Sequence, residues 1–333
     1  MTDLSTLPVL GVVIVTYQGG DVICDCLESL LACTDVALRI VVVDNGSPDD
    51  TVAVIKDWAA GTTAYVTPDD MPFALTPSAK PVPLDGSGGQ HRITLLDTGM
   101  NTGFAGGVNK GLALLAADPA VNRFWVLNPD SVVPTDTPLA FATAPDGFSL
   151  MGGRVVYYDD PTKIQTDGGQ IRWHIGVTDS INQYGDPAVV PAPDPAQFDF
   201  ISGASMVASR AFYEGTGPLQ EDYFLYYEEV DWALRRGDLP LAYAPTALIY
   251  HKAGTSIGSQ GLDRGASVFS LHFLHRARMR FLWRFCKTGL FGGFAYSLAK
   301  ALQLLVRGQS KAALTIVLAS MNLRPSREIR NRL

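Results

Sequence analysis

The sequence predicts an α/β fold with a mostly parallel central sheet flanked by helices, followed by a C-terminal helical region. Three observations predict it. Apolar strand-like runs alternate with helical patterns in the first part of the chain, as in strand–helix–strand units. The first run, residues 9–17, is continuously apolar, which is typical of a strand buried on both faces. Apolar residues make up 47% of the 333 residues, enough to form a large core.

The amino-terminal half carries four strand patterns and three helix patterns. Strands are predicted at residues 9–17, at the start of 38–50, at 92–97 and at 124–127. Helices are predicted at residues 21–32, 50–60 and within 101–117. Asp21 is expected at the start of the first helix, and Gly61 at the end of the second, which Ser47 or Asp49 caps. Residues 62–90 are rich in Pro and Gly without periodicity and predict a long surface loop or an insertion.

The second half is less regular. Residues 151–160 and 168–175 are predicted strands, and their proximity in the chain allows a hairpin. Residues 186–197 form a proline-rich connector, and residues 198–217 are predicted to be a strand leading into a helix that Gly215 ends. A helix is expected in residues 221–238, and a strand with His251 at its tip in residues 239–256.

Polar residues follow the apolar strand patterns at their carboxyl ends. They are Thr16, Tyr17, Asp44, Asn45, Asp97, Asn128 and Asp130. In an open parallel sheet, ligands bind beyond this edge. Each residue alone has an ordinary explanation, because Asp and Asn also satisfy turn amides and cap helices. Their recurrence on successive strands predicts one binding site.

The glycine-rich stretch "NTGFAGGVNKG", residues 101–111, predicts a helix start close to a ligand, since glycine allows close backbone approach to a phosphate or sugar. It is not a dinucleotide fingerprint, because it follows the third strand and lacks the G-x-G-x-x-G spacing. A Walker sequence is also absent from the chain.

A second acidic cluster lies in "YYEEVDWALRR", residues 226–236. On a helix, Glu228 and Asp231 share a face while Glu229 points elsewhere. Carboxylates beside aromatic rings can supply a general base. The competing interpretation is a solvated helix face on which Glu228 and Asp231 pair with Arg235. His251 fits a core residue, a surface residue or a metal ligand, although a lone histidine is usually not a ligand.

These motifs together resemble family 2 glycosyltransferases of the GT-A fold, the Rossmann-like fold of nucleotide-diphospho-sugar transferases. The residues that carry the resemblance are "VVIVTYQGG", "VVVDNGSPDDT", "NTGFAGGVNKG", "FWVLNPDS", "ISGASMVASR", "YYEEVDWALR" and "HKAGTS", in that order. The likeness is strongest to the rhamnosyltransferase-like branch of bacterial polysaccharide synthesis and covers roughly residues 8–285.

The resemblance implies a nucleotide-diphospho-sugar donor, a divalent Mg²⁺ or Mn²⁺ and inversion at the anomeric carbon. By position, donor contacts fall on Thr16, Tyr17, Asp44, Asn45, Asn101, Gly103, Asn109 and Asn128. Asn128-Pro129-Asp130 occupies the place of the family's D-x-D-type motif, so Asp130 is the expected metal ligand. His251 matches the position of a further metal ligand in some members.

The resemblance also implies a catalytic base in the segment corresponding to the family's E-D-x-D motif. Glu229 stands where Asp is frequent, and it is longer by one methylene. The assignment therefore stays open among three carboxylates, in the order of preference Glu229, Asp231 and Glu228. A flexible lid over the donor is expected at residues 251–261, which contain three glycines and three hydroxyl residues.

The resulting prediction is an inverting, metal-dependent glycosyltransferase. Its catalytic domain is placed at residues 1–264, with a nucleotide-sugar half up to about residue 135 and an acceptor half over 136–264. The predicted reaction is transfer of L-rhamnose from dTDP-rhamnose to a saccharide or lipid-linked saccharide. The alternatives are a UDP-sugar donor (N-acetylglucosamine or galactofuranose), a non-catalytic nucleotide-sugar binder, and, least favoured, a dinucleotide-dependent oxidoreductase.

Charge separates the C-terminal region, residues 265–333, from the rest of the chain. This region holds twelve Lys and Arg and one acidic residue, a net charge of +11, whereas residues 1–264 carry −18. The acidic body disfavours a nucleic-acid partner. The basic, amphipathic tail favours peripheral contact with the cytoplasmic face of a membrane, with a homodimer contact as the alternative. The amino-terminal residues lack a secretory signal pattern, and the cysteines lack metal-type spacing, so a cytoplasmic location is expected.

Overall fold

The computed structural model describes residues 7–252 and 266–330, which form an α/β architecture around one nine-stranded sheet. The first nine elements, in chain order, are β1 (Val9–Thr16), α1 (Ile23–Leu31), β2 (Ala37–Asp44), α2 (Thr51–Ala60), β3 (Arg92–Asp97), α3 (Gly103–Ala116), β4 (Arg123–Leu127), β5 (Ser131–Val132) and α4 (Thr137–Thr143). The predicted strand–helix alternation of the amino-terminal half is confirmed.

The second half adds the remaining strands and the C-terminal helices. These are β6 (Leu150–Tyr157), β7 (Ile164–Thr166), β8 (Gly169–Arg172), β9 (Val177–Ser180), β10 (Ser205–Ser209), α5 (Arg210–Thr216), α6 (Glu228–Leu234), β11 (Ala242–His251), α7 (Val268–Phe285), α8 (Leu290–Val306), α9 (Ser310–Ser320) and α10 (Arg327–Arg330).

The sheet has the order β3-β2-β1-β4-β10-β6-β11-β5, with β7 paired to β6. The first four strands in this order are parallel. β10 runs antiparallel to both of its neighbours, and β6 and β11 are again parallel to each other. The carboxyl ends of β1, β2, β3, β4, β6 and β11 therefore lie at one edge of the sheet, where the polar residues were expected.

Two apolar layers cover the sheet, one on each face. β1 alternates between them, since Val13 and Val15 join one core cluster while Val12 and Ile14 join the other. The first cluster includes residues of α3, α6 and α7, and the second includes residues of α1, α2 and α4. A strand buried on both faces explains the continuously apolar run that the sequence shows.

Several element boundaries differ from the sequence prediction. α1 begins at Ile23 without a side-chain cap, so Asp21 is not its cap. The helix α5 passes through Gly215 and ends at Gly217, whose φ of 80° suits glycine. The predicted helix at 221–238 shortens to α6, because the backbone before it adopts positive φ angles. The two strands suggested as a hairpin do not pair with each other, since β6 pairs with β7 and β8 with β9.

The predicted long loop, residues 62–90, is anchored by a buried carboxylate. Glu28 on α1 is fully buried and accepts hydrogen bonds from Trp58 Nε1 at 2.8 Å, Ser78 N at 2.6 Å and Lys80 Nζ at 2.7 Å. Tyr65 adds a bond to Asp25 at 2.9 Å. Because one charge satisfies three donors, the loop is fixed across α1 although it contains no helix or named strand.

Glu28→Ala should lower the free energy of unfolding by about 3–5 kcal/mol, because it leaves the Lys80 ammonium without its buried partner. It should also make residues 62–90 more sensitive to limited proteolysis. Asp179→Ala is the matched control, since Asp179 pairs with Arg172 where both side chains are largely exposed, and it should lose less than about 1 kcal/mol. Equal urea midpoints for the two variants would contradict the anchor.

Candidate active site

Asp130 and His251 meet at the carboxyl edge of the sheet. His251 Nε2 lies 3.1 Å from Asp130 Oδ1, and both side chains are buried. β5 brings them together, because Ser131 pairs with His251 and the backbone N of Lys252 donates to Asp130 O at 3.0 Å. The structure thus places the two predicted metal ligands side by side.

The hydrogen bonds of His251 orient its ring. Nδ1 lies 2.7 Å from Gln165 Oε1, which only accepts, so Nδ1 carries a proton. Nε2 is directed towards the Asn128 amide nitrogen and Asp130 Oδ1, each 3.1 Å away. Gln165 on β7 was missed by the sequence analysis, since a half-buried glutamine in a three-residue strand carries no recognisable motif.

The Asp130–His251 pair fits a divalent cation. An oxygen and a nitrogen donor 3.1 Å apart match neighbouring ligands of an octahedral ion with bonds of about 2.1 Å, which are about 3 Å apart. Gln165 supplies the outer hydrogen bond that orients a ligating histidine. Within the described residues no group of three or more His, Cys, Asp or Glu forms a metal site. Two protein ligands suit Mg²⁺ or Mn²⁺ that is also held by substrate phosphates.

Thr16 and Asp44 end neighbouring strands and carry unused polar atoms. They are register partners on β1 and β2. The Thr16 hydroxyl and Asp44 Oδ1 are buried and make no hydrogen bond to any residue that the structure describes, while Asp44 Oδ2 accepts from Ser47 N at 2.9 Å. Buried polar atoms without partners are rare and call for a ligand. Tyr17 follows directly and is half-buried.

Other predicted donor residues have their polar atoms engaged within the protein. Asn45 is buried and contacts Asn101 Oδ1, Thr102 and the carbonyl of Gly103. Asn109 bonds Leu219 through both its amide nitrogen and its amide oxygen. These contacts make Asn45 and Asn109 positioning residues for the glycine-rich segment and for the loop before α6.

Gly103 lies where that glycine-rich segment meets the acidic cluster. Its φ is 74°, and a Cβ there would lie 2.5 Å from the carbonyl oxygen of Phe224. The same carbonyl accepts a hydrogen bond from Phe104 N at 2.8 Å. Only glycine permits this approach, which joins the segment after β3 to the segment before α6.

The backbone leading into α6 is strained. Phe224, Tyr226 and Tyr227 have φ angles of 66°, 69° and 69°, a region that aromatic residues rarely adopt and that costs on the order of 1 kcal/mol each. Tyr227 is buried, and its hydroxyl donates to Gly176 O at 2.6 Å while Arg278 of α7 donates to it at 3.2 Å. Phe224 stacks on Phe273 of α7. The C-terminal helix therefore holds this loop in shape.

Glu228, Glu229 and Asp231 differ in their surroundings. Both oxygens of Asp231 are used: Arg235 and Arg284 each donate to it at 2.7 Å, and the Tyr223 hydroxyl at 3.0 Å. The predicted Asp231–Arg235 pair is present, but it is not solvated: Asp231 is fully buried and the Arg235 side chain is 22% exposed. These bonds give Asp231 a structural role in holding α6 against α7.

Glu229 is the carboxylate best suited to accept a proton. It is partly exposed, its Oε2 makes no hydrogen bond, and burial raises its pKa to about 7. Burial, followed by the charge of Glu229, raises the pKa of Glu228 well above its usual range. A Cβ added at Gly203 would lie 3.8 Å from Cγ of Glu229. The carbonyl of the next residue, Ala204, accepts a hydrogen bond from Asn128 N. The turn at 203–204 therefore borders both the acidic cluster and the metal-ligand pair.

A cavity of about 590 Å³ lies at the edge of the sheet where β1 and β4 begin, near Pro8 and Arg123. Its arginines are occupied: Arg123 donates to the carbonyls of Phe141 and Ala144, and Arg210 to that of Val121. No sequence-predicted site residue lines this cavity, so the candidate site is the carboxyl edge. The predicted lid beyond Lys252 falls largely outside the described residues.

Comparison with known proteins supports a glycosyltransferase. The model of "Glycosyl transferase family 2" matches residues 11–70, which contain Thr16, Tyr17, Asp44 and Asn45. The sequence has no significant match among curated proteins. The rhamnosyltransferase-like branch suggested by the motifs stays a prediction.

Two solved glycosyltransferases share the fold. The mannosyltransferase PcManGT from Pyrobaculum calidifontis, in complex with GDP-Man and Mn²⁺, has a TM-score of 0.52 and 14% identity over 99% of this chain and 79% of that chain. GalNAc-T7 with UDP, GalNAc and Mn²⁺ has a TM-score of 0.54 and 12% identity over 98% of this chain, which spans 57% of that structure. The chain thus has the predicted GT-A fold.

Glu229→Gln should change how stability depends on pH. Because the folded pKa is raised from 4.5 to about 7, the folded state binds more protons than the unfolded state between these values, and stability falls as pH rises through this window. The glutamine variant lacks this loss. Its free energy of unfolding relative to wild type should therefore increase by about 3 kcal/mol between pH 4 and 8.

The exposed Glu214→Gln variant is the control and should show a constant difference from wild type across the same range. Urea unfolding followed by tryptophan fluorescence at each pH provides the measurement. A pH-independent difference for Glu229→Gln would show that this carboxyl is not perturbed.

Proposed function

We propose that the protein is an inverting, metal-dependent glycosyltransferase that moves a sugar from a nucleoside diphosphate to an acceptor hydroxyl. The observation that carries the proposal is the 3.1 Å approach of Asp130 and His251 at the end of β4. The turn at 203–204 borders this pair. Its Ala204 carbonyl accepts a hydrogen bond from Asn128 N, and its Gly203 lies beside the Glu229 side chain. The unused polar atoms of Thr16 and Asp44 support a nucleotide beside it.

The reaction is a direct displacement at the anomeric carbon. Glu229 takes the proton from the acceptor hydroxyl. The oxygen of this hydroxyl forms the new bond to the anomeric carbon, while the bond from that carbon to the donor's diphosphate oxygen breaks. Asp130 and His251 would hold the metal ion, which offsets charge on the leaving diphosphate when bound. A carboxyl with a pKa raised to about 7 suits the base role, because it is both ionised near neutral pH and basic enough to accept the proton.

The proposed donor is dTDP-rhamnose, on the strength of the motif resemblance, and a UDP-sugar is the alternative. The proposed acceptor is a saccharide or lipid-linked saccharide of a cell-surface polysaccharide, met at the cytoplasmic face of the membrane. A thermal-shift panel of dTDP-, UDP- and GDP-sugars with and without Mn²⁺ separates the donors, because a ligand that binds only the folded state raises the melting temperature. Stabilisation by none of them would contradict the proposal.

Asp130→Ala should abolish Mn²⁺-dependent turnover of the donor and its Mn²⁺-dependent thermal stabilisation, while leaving the fold intact. Asn128→Ala should lower turnover less, since its amide only orients the Nε2 side of His251. Circular dichroism confirms folding, and EDTA added to the wild type should reproduce the Asp130→Ala result. Full activity of Asp130→Ala, or of the wild type in EDTA, would overturn the metal assignment.

Glu229→Gln should lower kcat about 10²–10⁴-fold, because the proton acceptor is lost. Binding of the nucleoside diphosphate should stay unchanged, which separates a base from a donor contact. The wild-type kcat/KM should fall as pH decreases below about 7, following protonation of Glu229. Glu214→Gln is the control. Wild-type rates in Glu229→Gln would transfer the role to Glu228, and absence of turnover in the wild type would identify a non-catalytic binder.

A further inference from the structure

The C-terminal helices carry most of the large apolar side chains that the described part of the chain exposes. Of fifteen such residues, nine follow residue 282. They are Trp283, Phe291, Leu298, Leu302, Leu305, Val306, Leu314, Met321 and Leu323. An exposed apolar surface that is concentrated in this way marks an interaction site.

α8 turns its two faces to different environments. Its small residues Gly293, Ser297 and Ala301 are buried, and a Cβ on Gly293 would lie 2.4 Å from Leu282 of α7. A neighbouring face, about a third of a turn away, exposes Phe291, 84% accessible, together with Leu298, Leu302 and Leu305. We call these four side chains the apolar face of α8. Their spacing places them in one stripe along the helix, so close packing of the small residues fixes the stripe outwards.

Basic residues lie before, within and after the segment that carries the apolar face. Lys287, Lys300, Arg307, Lys311 and Arg324 are exposed, and the sequence contains no Asp or Glu from residue 265 to 327. Lys287 Nζ lies 5.1 Å from the ring of the exposed Trp283. Tryptophan beside basic residues at the edge of an apolar stripe is typical of a membrane–water interface.

We propose that the apolar face of α8, together with the basic residues at the two ends of the helix, Lys287 and Arg307, docks on an anionic phospholipid surface. α8 then lies in the plane of the interface. The apolar side chains enter the acyl region, and the basic side chains contact lipid phosphates. The net charge of −18 on residues 1–264 orients the molecule, because the body is repelled by the same surface that attracts the tail.

A second copy of this chain is a poorer occupant of the surface. A two-fold interface would bring the same patch of both subunits together. The basic residues around the two patches would then repel each other. Charge complementarity therefore favours lipid over self-association.

A membrane span is also disfavoured by the packing of α8. Residues 287–306 are long and apolar enough to cross a bilayer by length and composition alone. However, the small-residue face of α8 packs on α7, whose Phe281 and Leu282 belong to the main core. A spanning α8 would have to leave these contacts, whereas an interfacial α8 keeps them.

Docking at this face would bring a lipid-linked acceptor towards the acidic cluster, a consequence that rests on the proposed function. α7 connects the two places, since it packs on α8 and its Arg278 also donates to Tyr227 beside Glu228. The docking itself is independent of transfer, and its test uses neither nucleotide sugar nor acceptor.

The test is cosedimentation of the full-length protein with sucrose-loaded vesicles. Phosphatidylcholine vesicles with about 30% phosphatidylglycerol are compared with pure phosphatidylcholine, in about 0.05 M and about 1 M NaCl. Binding should be at least tenfold tighter to the anionic vesicles at low salt and at least tenfold weaker in high salt, since screening removes attraction between charges at the surface.

Two sets of variants separate the apolar from the basic contribution. Phe291→Ser with Leu302→Ser should weaken binding at least tenfold at both salt concentrations. Lys287→Glu with Arg307→Glu, at the two ends of α8, should remove the preference for anionic vesicles. Val189→Ser is the matched control, because Val189 is 77% exposed on the proline-rich connector, and it should bind like wild type. Thermal melts confirm that every variant is folded.

Three outcomes would overturn the proposal. The first is absence of binding to anionic vesicles at low salt. The second is a dimer, measured by light scattering, that Phe291→Ser with Leu302→Ser dissociates. The third is protein expressed in its host that stays in the membrane after alkaline carbonate extraction, which would indicate a span. A failed transfer assay with intact vesicle binding would instead count against the proposed function alone.

Discussion

The pairing of the two-residue strand β5 with the end of β11 is the constraint on which the candidate site depends. Asp130 and His251 are far apart in the sequence. The register Ser131 to His251 and the bond from Lys252 N to Asp130 O place them together. Since β11 pairs with β6 on its other side, the site requires both halves of the sheet. A defect in either half would therefore separate the ligands.

The acidic side of the site depends on the C-terminal helix α7. Three aromatic residues with positive φ angles precede or begin the turn into α6, and such a conformation persists only when its surroundings determine it. Arg278 binds Tyr227, Phe273 stacks on Phe224, and Arg284 pairs with the buried Asp231. α7 therefore has two functions. It holds Glu228 and Glu229 in place, and it carries the helix whose apolar face we assign to the membrane.

This packing changes how the predicted division of the chain is understood. The boundary near residue 264, which follows the change in charge, stays a prediction. Ala277, Phe281 and Leu282 nevertheless lie in the main core cluster with residues of α3 and α6. The C-terminal region is therefore integrated with the sheet through α7, whereas eight of the fifteen large apolar side chains that the described residues expose lie on α8 or beyond it.

Much of the fold could be predicted because local signals are strong in the first half. Continuous apolar runs define β1 and β2, and Gly61, with a φ of 73°, ends α2 as expected. The strand-end position of Asp130 followed from the same pattern. The proximity of the Asp130 and His251 side chains, by contrast, was expected only from the family resemblance. Spacing along the chain does not determine which strands become neighbours.

Other features had no sequence signal at all. Gln165 orients His251 from a three-residue strand, and nothing in its flanking residues marks it. The positive φ angles at Phe224, Tyr226 and Tyr227 contradict the local preference of aromatic residues, so a longer helix was predicted there. Asn45 and Asn109 make tertiary hydrogen bonds through their amides, which the sequence did not predict, and their contact with a donor stays a prediction. These differences arise from long-range contacts that override local propensity.

The central claim is that Asp130 and His251 hold a divalent cation beside the donor's diphosphate. It is tested most directly by anomalous diffraction at the manganese edge, from crystals grown with Mn²⁺ and a nucleoside diphosphate. We expect one strong anomalous peak within coordination distance of Asp130 Oδ1 and His251 Nε2, in contact with the diphosphate. A diphosphate bound at the carboxyl edge without an anomalous peak, or a peak on other residues, would contradict the account.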